Sequence, residues 1–253
     1  MQNETIAIHA GYNKKEGYGT MSVPISQTTA YAFRDSEHAA NLFALKELGP
    51  IYTRLTNPTT DVLEQRFAAL EGGAAAICTS SGQAASFFAI ANVAEAGDNV
   101  LISDKLYGGS VTLLTYTMKR FGINAKVFKS DDASDLESLI DDKTKAIYFE
   151  SLSNPQIAIP DVEKIATIGK KHGVLTICDN TVASAALFNP IKWGIDVVVH
   201  STSKYTNGQG TAIGGIVVER DGLAEFFKAN SNRYSHFTTP DESYHGLVYT
   251  DVP

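Results

Sequence analysis

The chain has 253 residues, 43% of them apolar, and a formal net charge of −7. That length and apolar content suit one large α/β domain, or one domain plus an arm. No apolar run is long enough to cross a bilayer, and no basic cluster of the kind that binds nucleic acid stands out, so neither a membrane nor a nucleic-acid partner is expected.

The first residues, Met1 to Ile6, carry no basic stretch followed by an apolar one, so no signal peptide is expected. Residues 1–55 hold no clear βα unit and are rich in Gly, Thr and Tyr, which suits an arm or a loop region near a substrate. The spacing predicts a helix over 60–70, with Val62, Leu63, Phe67 and Leu70 as its buried stripe. From about residue 74 short β-branched runs alternate with helical patterns. Strands are predicted at 76–79, 99–103, 125–128, 145–152, 175–178, 196–200 and 212–218. A helix apolar nearly all round is predicted over 82–95, another over 110–121 ended by Gly122, and a third over 160–172 ended by Gly173. Ser134 and Glu137 have the spacing of a capping box opening a short helix. Lys119-Arg120 and Lys170-Lys171 read as solvated helix faces. The order β, α, β, α predicts a mainly parallel, mixed sheet with helices on both faces. Cys78 and Cys178 fall in strand patterns and read as reduced thiols, which favours the cytoplasm; a disulfide between them is the alternative.

Ligands of parallel α/β sheets bind beyond the carboxyl ends of the strands, and three polar clusters fall there. The run Thr79-Ser80-Ser81-Gly82-Gln83 leads from a strand into a helix, where small residues let backbone N–H groups approach an anion. The same run can be no more than a helix cap. Asp179, with Asn180 and Thr181, follows another strand; it is either a turn cap or a charge held against a cofactor cation. His200-Ser201-Thr202-Ser203-Lys204-Tyr205 follows Val197-Val198-Val199, and Gly208 and Gly210 make a tight turn behind it. Lys204 is either a snorkelling surface lysine or a reactive one between hydroxyls. Anion cradle, carboxylate and lysine are together what pyridoxal 5′-phosphate (PLP) requires: donors for its phosphate, an acid for its pyridine nitrogen and an amine for its aldehyde.

The chain resembles the Cys/Met-metabolism class of fold-type I PLP enzymes over nearly its whole length. The carriers are Tyr52-Thr53-Arg54 with Asn57-Pro58, Leu70-Glu71-Gly72-Gly73, Thr79 to Gly82, Leu106-Tyr107-Gly108-Gly109, Glu150 with Asn154-Pro155, Asp179-Asn180-Thr181, and Asp196 with His200-Ser201 and Ser203-Lys204. The family pattern usually has Thr where Ser203 stands; both carry a hydroxyl. The resemblance implies the large domain of a fold-type I PLP-dependent transferase over residues 59–253, preceded by an N-terminal arm over 1–58. It implies that Lys204 forms the Schiff base and later moves protons, that Asp179 pairs with the pyridine nitrogen, and that Tyr107 stacks on the ring. Gly82 and Gln83 would offer N–H groups, and Ser201 and Ser203 hydroxyls, to the phosphate. Asn154 would lie near the ring oxygen. Tyr52 and Arg54 would reach the phosphate of a neighbouring subunit, in a homodimer or homotetramer. No metal is implied.

Family members continue into a smaller C-terminal domain that supplies an arginine for the substrate carboxylate, whereas this chain stops at Pro253. The expectation is therefore a chain that holds PLP better than it turns over substrate. The segment from Arg233 to Tyr249 resembles the O-acetylhomoserine sulfhydrylase branch, as do His200, Lys204-Tyr205 and Gly208-Gln209-Gly210. Methionine γ-lyases typically carry Cys where Gly109 stands. The implied reaction is γ-replacement on a small amino-acid substrate, O-acetylhomoserine, by sulfide, a thiol or a sulfur-carrier protein. Cystathionine γ-synthase, cystathionine γ-lyase or methionine γ-lyase activity is the runner-up, and a non-catalytic scaffold the reading from another class.

Overall fold

A computed structural model of the chain describes residues 2–15 and 19–235. The resembling segment beyond Ser235, including Tyr244 to Tyr249, lies outside the described residues. The described strands are β1 (Ala75–Thr79), β2 (Asn99–Ser103), β3 (Asn124–Phe128), β4 (Thr144–Glu150), β5 (Leu175–Asp179), β6 (Val197–Ser201) and β7 (Gly215–Glu219). They form one sheet in the order β1-β7-β6-β5-β4-β2-β3. Strands β2 to β6 pair in parallel, and β7 runs antiparallel to both β6 and β1. The sheet is mixed and mainly parallel, as the strand spacing predicts.

Helices α1 (Asn3–His9) and α2 (Ser36–Phe43) lie in the N-terminal segment, where no element is predicted. They are followed by α3 (Pro58–Glu71), α4 (Gly82–Ala91), α5 (Gly108–Thr112), α6 (Leu136–Leu139), α7 (Val162–His172), α8 (Ser184–Leu187) and α9 (Leu223–Ala229). Alternate strand residues serve opposite faces. Val100, Tyr148, Ile177, Val199 and Val217 pack with Ala85 and Ile90 of α4 and Phe227 of α9. On the other face Ile147, Phe149 and Cys178 pack against Val162 and Ile165 of α7, and Val198, Ile216 and Val218 against Phe67 of α3. Two helical layers thus sandwich strands that are apolar on both sides, which is what a parallel sheet requires.

Local chemistry sets the helix ends. The Asn57 side chain accepts the Thr59 N–H at 2.9 Å, and Pro58 sits where no intrahelical N–H is needed. Helix α3 ends at Gly72 in the left-handed conformation (φ 76°), and Gly73 follows because a Cβ there would lie 2.5 Å from Val218. The resembling Leu70-Glu71-Gly72-Gly73 run is therefore a helix stop pressed onto the sheet. The helix predicted over 110–121 starts as α5, passes through a π turn and a 3-10 turn, and ends at Gly122 as expected.

Some expectations are corrected. Leu63 is exposed, because the face of α3 turned to β1 includes Glu64, whose carboxylate accepts the Cys78 N–H at 2.7 Å. That bond also covers an N–H on the outer edge of β1. Helix α4 stops at Ala91, where Asn92 caps it, and Phe88 faces outward, so it is not buried all round. The capping box does not form: Glu137 accepts from Lys171 and His172 of α7 at 2.5 and 2.7 Å instead of reaching back to Ser134. Strand β7 begins at Gly215 rather than 212, because Gly214 is bonded to Ser203. Both cysteines are free, as the reduced-thiol reading has it.

Helix α7 does have a side-chain cap, Asp161, which accepts the Lys164 N–H at 3.0 Å. Asp161→Ala is expected to lower stability by about 1 kcal/mol, while Ser134→Ala stays within about 0.5 kcal/mol of wild type. Urea denaturation of the two variants beside the wild type checks the contrast.

Candidate active site

The carboxyl ends of β1, β4, β5 and β6 meet at one edge of the sheet around a cavity of about 330 Å³. Ser81, Gly82 and Gln83 form one wall, at the start of α4. Ser81 caps the helix through its side chain, which accepts the Ala84 N–H at 3.1 Å, while its carbonyl accepts that of Ala85. The N–H groups of Gly82 and Gln83 have no acceptor among the described residues. Two free donors at the positive end of a helix make an anion cradle.

The cradle is held to the end of β6 by a contact that leaves no room for a side chain. A Cβ on Gly82 would lie 2.6 Å from the Cβ of Ser201 and 2.8 Å from its Cα. Across the same end, a Cβ on Gly215 would lie 2.1 Å from the Ser81 carbonyl oxygen. Ser201 lines the cavity, and its N–H donates to Thr181 Oγ1 at 2.8 Å. The chain then turns, and Lys204 lines the cavity as an exposed side chain with no ion pair among the described residues. Ser203 also lines the cavity, but its hydroxyl is engaged with Gly214, accepting that residue's N–H at 3.0 Å and facing its carbonyl oxygen at 3.3 Å.

Asp179 ends β5 and faces the same space. Its Oδ1 accepts the Thr181 N–H at 3.0 Å, and its Oδ2 accepts from the Tyr148 hydroxyl at 3.3 Å. Burial, reinforced by the Asp179 charge, raises the Tyr148 phenol well above its usual range, so it stays protonated and donates. Tyr107 stands half-exposed at the cavity wall with its ring over Gly109, where a Cβ would lie 2.5 Å from Tyr107 Cε1. Asn154 also lines the cavity.

Eight of the predicted site residues are thus brought together: Lys204, Asp179, Tyr107, Asn154, Gly82, Gln83, Ser201 and Ser203. Tyr52 and Arg54 are not on this wall. Both are exposed, the Arg54 guanidinium lies over the Tyr52 ring at 5.6 Å, and Tyr52 bridges to Ala30.

Glu150, Thr181, Glu71 and His200 stand in the sequence motifs but carry no role there, and the structure supplies one. Glu150 is 5% exposed, and burial pushes its carboxyl up to about 7, with the Asp179 charge adding to the effect. Behind the strand ends, Glu71 and His200 are buried with Glu71 Oε1 2.6 Å from His200 Nε2. Asn180 also donates to Glu71 at 2.9 Å and accepts from Ser151 at 2.7 Å. Placing the imidazole proton on Nε2 satisfies Glu71 and leaves Nδ1, which has no partner among the described residues, as a bare acceptor rather than a buried unpaired donor. Polar residues closing otherwise apolar strands were the available signal for Glu150 and His200.

The donor set fits PLP: two unpaired helix N–H groups, a carboxylate and a lysine surround one space, and the cradle is a place a Cβ would fill. The architecture is that of fold type I PLP-dependent enzymes. The sequence profile of the Cys/Met metabolism PLP-dependent enzyme family matches residues 4–247. The O-acetyl-L-homoserine sulfhydrylase of Leptospira meyeri is 46% identical over 249 residues, covering 98% of this chain and 55% of that protein. A Campylobacter jejuni structure assigned as an O-acetylhomoserine (thiol)-lyase, solved with N′-pyridoxyl-lysine-5′-monophosphate, is 55% identical with a TM-score of 0.92, over 97% of this chain and 60% of that one. Cystathionine γ-lyase from Lactobacillus plantarum, complexed with L-serine, is 32% identical with a TM-score of 0.81, over 96% and 62% of the two chains. The chain therefore belongs to the Cys/Met-metabolism family of PLP-dependent enzymes. It spans little more than half the length of the curated relatives it matches.

Gly82→Ala is expected to push α4 away from β6 and to weaken PLP binding about tenfold or more, since the contact is with backbone and cannot relax. Gly108→Ala, which meets nothing within 4 Å, is expected to leave stability within about 0.5 kcal/mol of wild type. Absorbance titration with PLP and thermal unfolding check both.

Proposed function

We propose that this cavity binds PLP covalently through Lys204, and that the protein catalyses γ-replacement on O-acetylhomoserine by sulfide or a thiol, giving homocysteine or methionine and acetate. The observation that carries the cofactor reading is the meeting of Lys204, Asp179 and the free N–H groups of Gly82 and Gln83 in one cavity. The choice of substrate is supported by identities of 46% and 55% to proteins named for O-acetylhomoserine chemistry, against 32% to a cystathionine γ-lyase. Gly109 speaks against the methionine γ-lyase branch, which typically carries Cys at that position.

PLP supplies an aldehyde for the substrate amine and a protonated ring that draws electrons from Cα. The protein's own residues do the rest. The first turn of α4 and the Ser201 hydroxyl would hold the phosphate; Ser203 would join them by turning its O–H from the Gly214 carbonyl while still accepting the Gly214 N–H. Asp179, which accepts from the Tyr148 hydroxyl at 3.3 Å, would pair with the ring nitrogen. Tyr107 would stack on the ring, and Asn154 would contact the ring oxygen. Lys204 Nζ, on the cavity wall, would take the proton from substrate Cα. Acetate is a good leaving group and needs no dedicated acid.

Residues 1–58 act as an arm that carries Tyr52 and Arg54 to the phosphate of a second subunit, in a dimer or tetramer. The outward-facing, forked guanidinium of Arg54 suits that task. The sulfur source is free sulfide, a thiol or a carrier protein. Free cysteines support a cytoplasmic setting, and among the described residues no helix is long and apolar enough to cross a membrane.

The test is homocysteine formation from O-acetylhomoserine and sulfide, run beside cystathionine formation from cysteine and ketoacid release from methionine. The first is expected to be fastest; faster cystathionine chemistry would give the assignment to the other branch. Asp179→Asn is expected to keep PLP and lose at least about 100-fold in rate. Near wild-type turnover in that variant would reduce Asp179 to the cap of the Thr181 turn.

A further inference from the structure

Strand β4 is buried along its whole length, yet it ends on a carboxylate. Glu150 Oε1 accepts the backbone N–H of Tyr107 at 2.6 Å, and Oε2 accepts the backbone N–H of Asn154 at 3.0 Å. Those two segments reach the cavity from different directions: Tyr107 opens α5, and Asn154 follows β4 on the way to α7. Both groups that face Glu150 are donors. Only a carboxylate offers two acceptor oxygens and no donor, so an amide or a hydroxyl of similar size leaves one N–H facing another donor. Leaving a buried donor unpaired is costly, and bonds to an ionised acceptor are the stronger kind.

The position is electrostatically unfavourable for a carboxylate. Glu150 is directly opposite Asp179 in the β4–β5 pairing, so two acids stand side by side. Tyr148 on the same strand and Cys178 on β5 are held neutral by burial, and the exposed Lys204 lies on the same cavity wall. A residue kept for packing alone has no need of that charge.

We propose that Glu150 is a positioning residue: by accepting one N–H from each segment, it fixes the Tyr107 ring and the Asn154 side chain at the cofactor cavity as a single unit. The clamp is present when the carboxylate is ionised. Protonation turns one oxygen into a donor and releases one of the two segments. Because burial raises the carboxyl to about 7, release occurs as pH falls through that value and not near the usual carboxylate range. The clamp itself is independent of the cofactor; its effect on the cofactor rests on the function proposed above.

The amide signals of Tyr107 and Asn154, followed by ¹H–¹⁵N spectroscopy without PLP from pH 5.5 to 8.5, test the clamp. Both are expected to titrate with one shared midpoint near 7, and neither should titrate in Glu150→Gln. Separate midpoints, no titration, or the same titration in the variant would overturn it. The wild-type titration decides this even where the variant does not fold. PLP affinity measured at pH 8 tests the positioning: Glu150→Gln is expected to bind about tenfold more weakly, with Glu150→Asp in between. Unchanged affinity in both variants, with the shared titration intact, overturns the positioning role. Failure of the wild type to bind PLP at all would instead defeat the cofactor reading, and the amide titration would still judge the clamp.

Discussion

The site depends on one close approach between backbones. The first turn of α4 rests on the end of β6 at a distance that Gly82 alone permits, since a Cβ there would overlap both Cα and Cβ of Ser201. Helix α4 brings two unpaired N–H groups and β6 brings the turn that carries Lys204. Without the contact these would be separate features of the fold, a capped helix and a surface lysine. With it, anion cradle and amine face one cavity. Gly215 repeats the device from the neighbouring strand, where the Ser81 carbonyl leaves no space for a side chain. The antiparallel pairing of β7 with both β1 and β6 is what aligns Thr79, Gly215 and Ser201 in one row.

Acidic groups crowd the same edge, and each is held by donors. Asp179 takes the Thr181 N–H and the Tyr148 hydroxyl, Glu150 takes two backbone N–H groups, and Glu71 takes His200 and Asn180. Buried carboxylates are tolerated when their lone pairs are satisfied. The arrangement surrounds the cavity with negative charge on the β4–β5 side and helix N–H groups on the α4 side. A ligand with a cationic ring nitrogen at one end and a phosphate at the other matches that polarity.

The strand and helix order was legible because apolar runs and punctuating glycines carry it; 99–103 was read to the residue, and Gly122 and Gly173 end their helices in the left-handed conformation. The residues around the cavity were legible from strand-end position and from family motifs together. What escaped was anything decided by a distant partner. Leu63 has the right spacing to be buried, but Glu64 claims the inward direction through Cys78. Ser134 and Glu137 have capping-box spacing, but α7 offers Glu137 two partners, Lys171 and His172. Ser203 was expected to face a phosphate, and in this structure its hydroxyl is bonded to Gly214, eleven residues away. Glu150 sat inside a quoted motif without a role, because its partners come from two other segments. Tyr52 and Arg54 stand exposed and off the cavity wall, and the role proposed for them needs a second subunit, which no pattern within one chain can display.

The account stands or falls on where the cofactor attaches. Reduction of the PLP-loaded protein with borohydride, followed by peptide mapping, tests it most directly. The account predicts a pyridoxyl group on the peptide containing Lys204, at close to one per chain. A label on Lys192 or Lys228, or no stable label with a colourless protein, would contradict it.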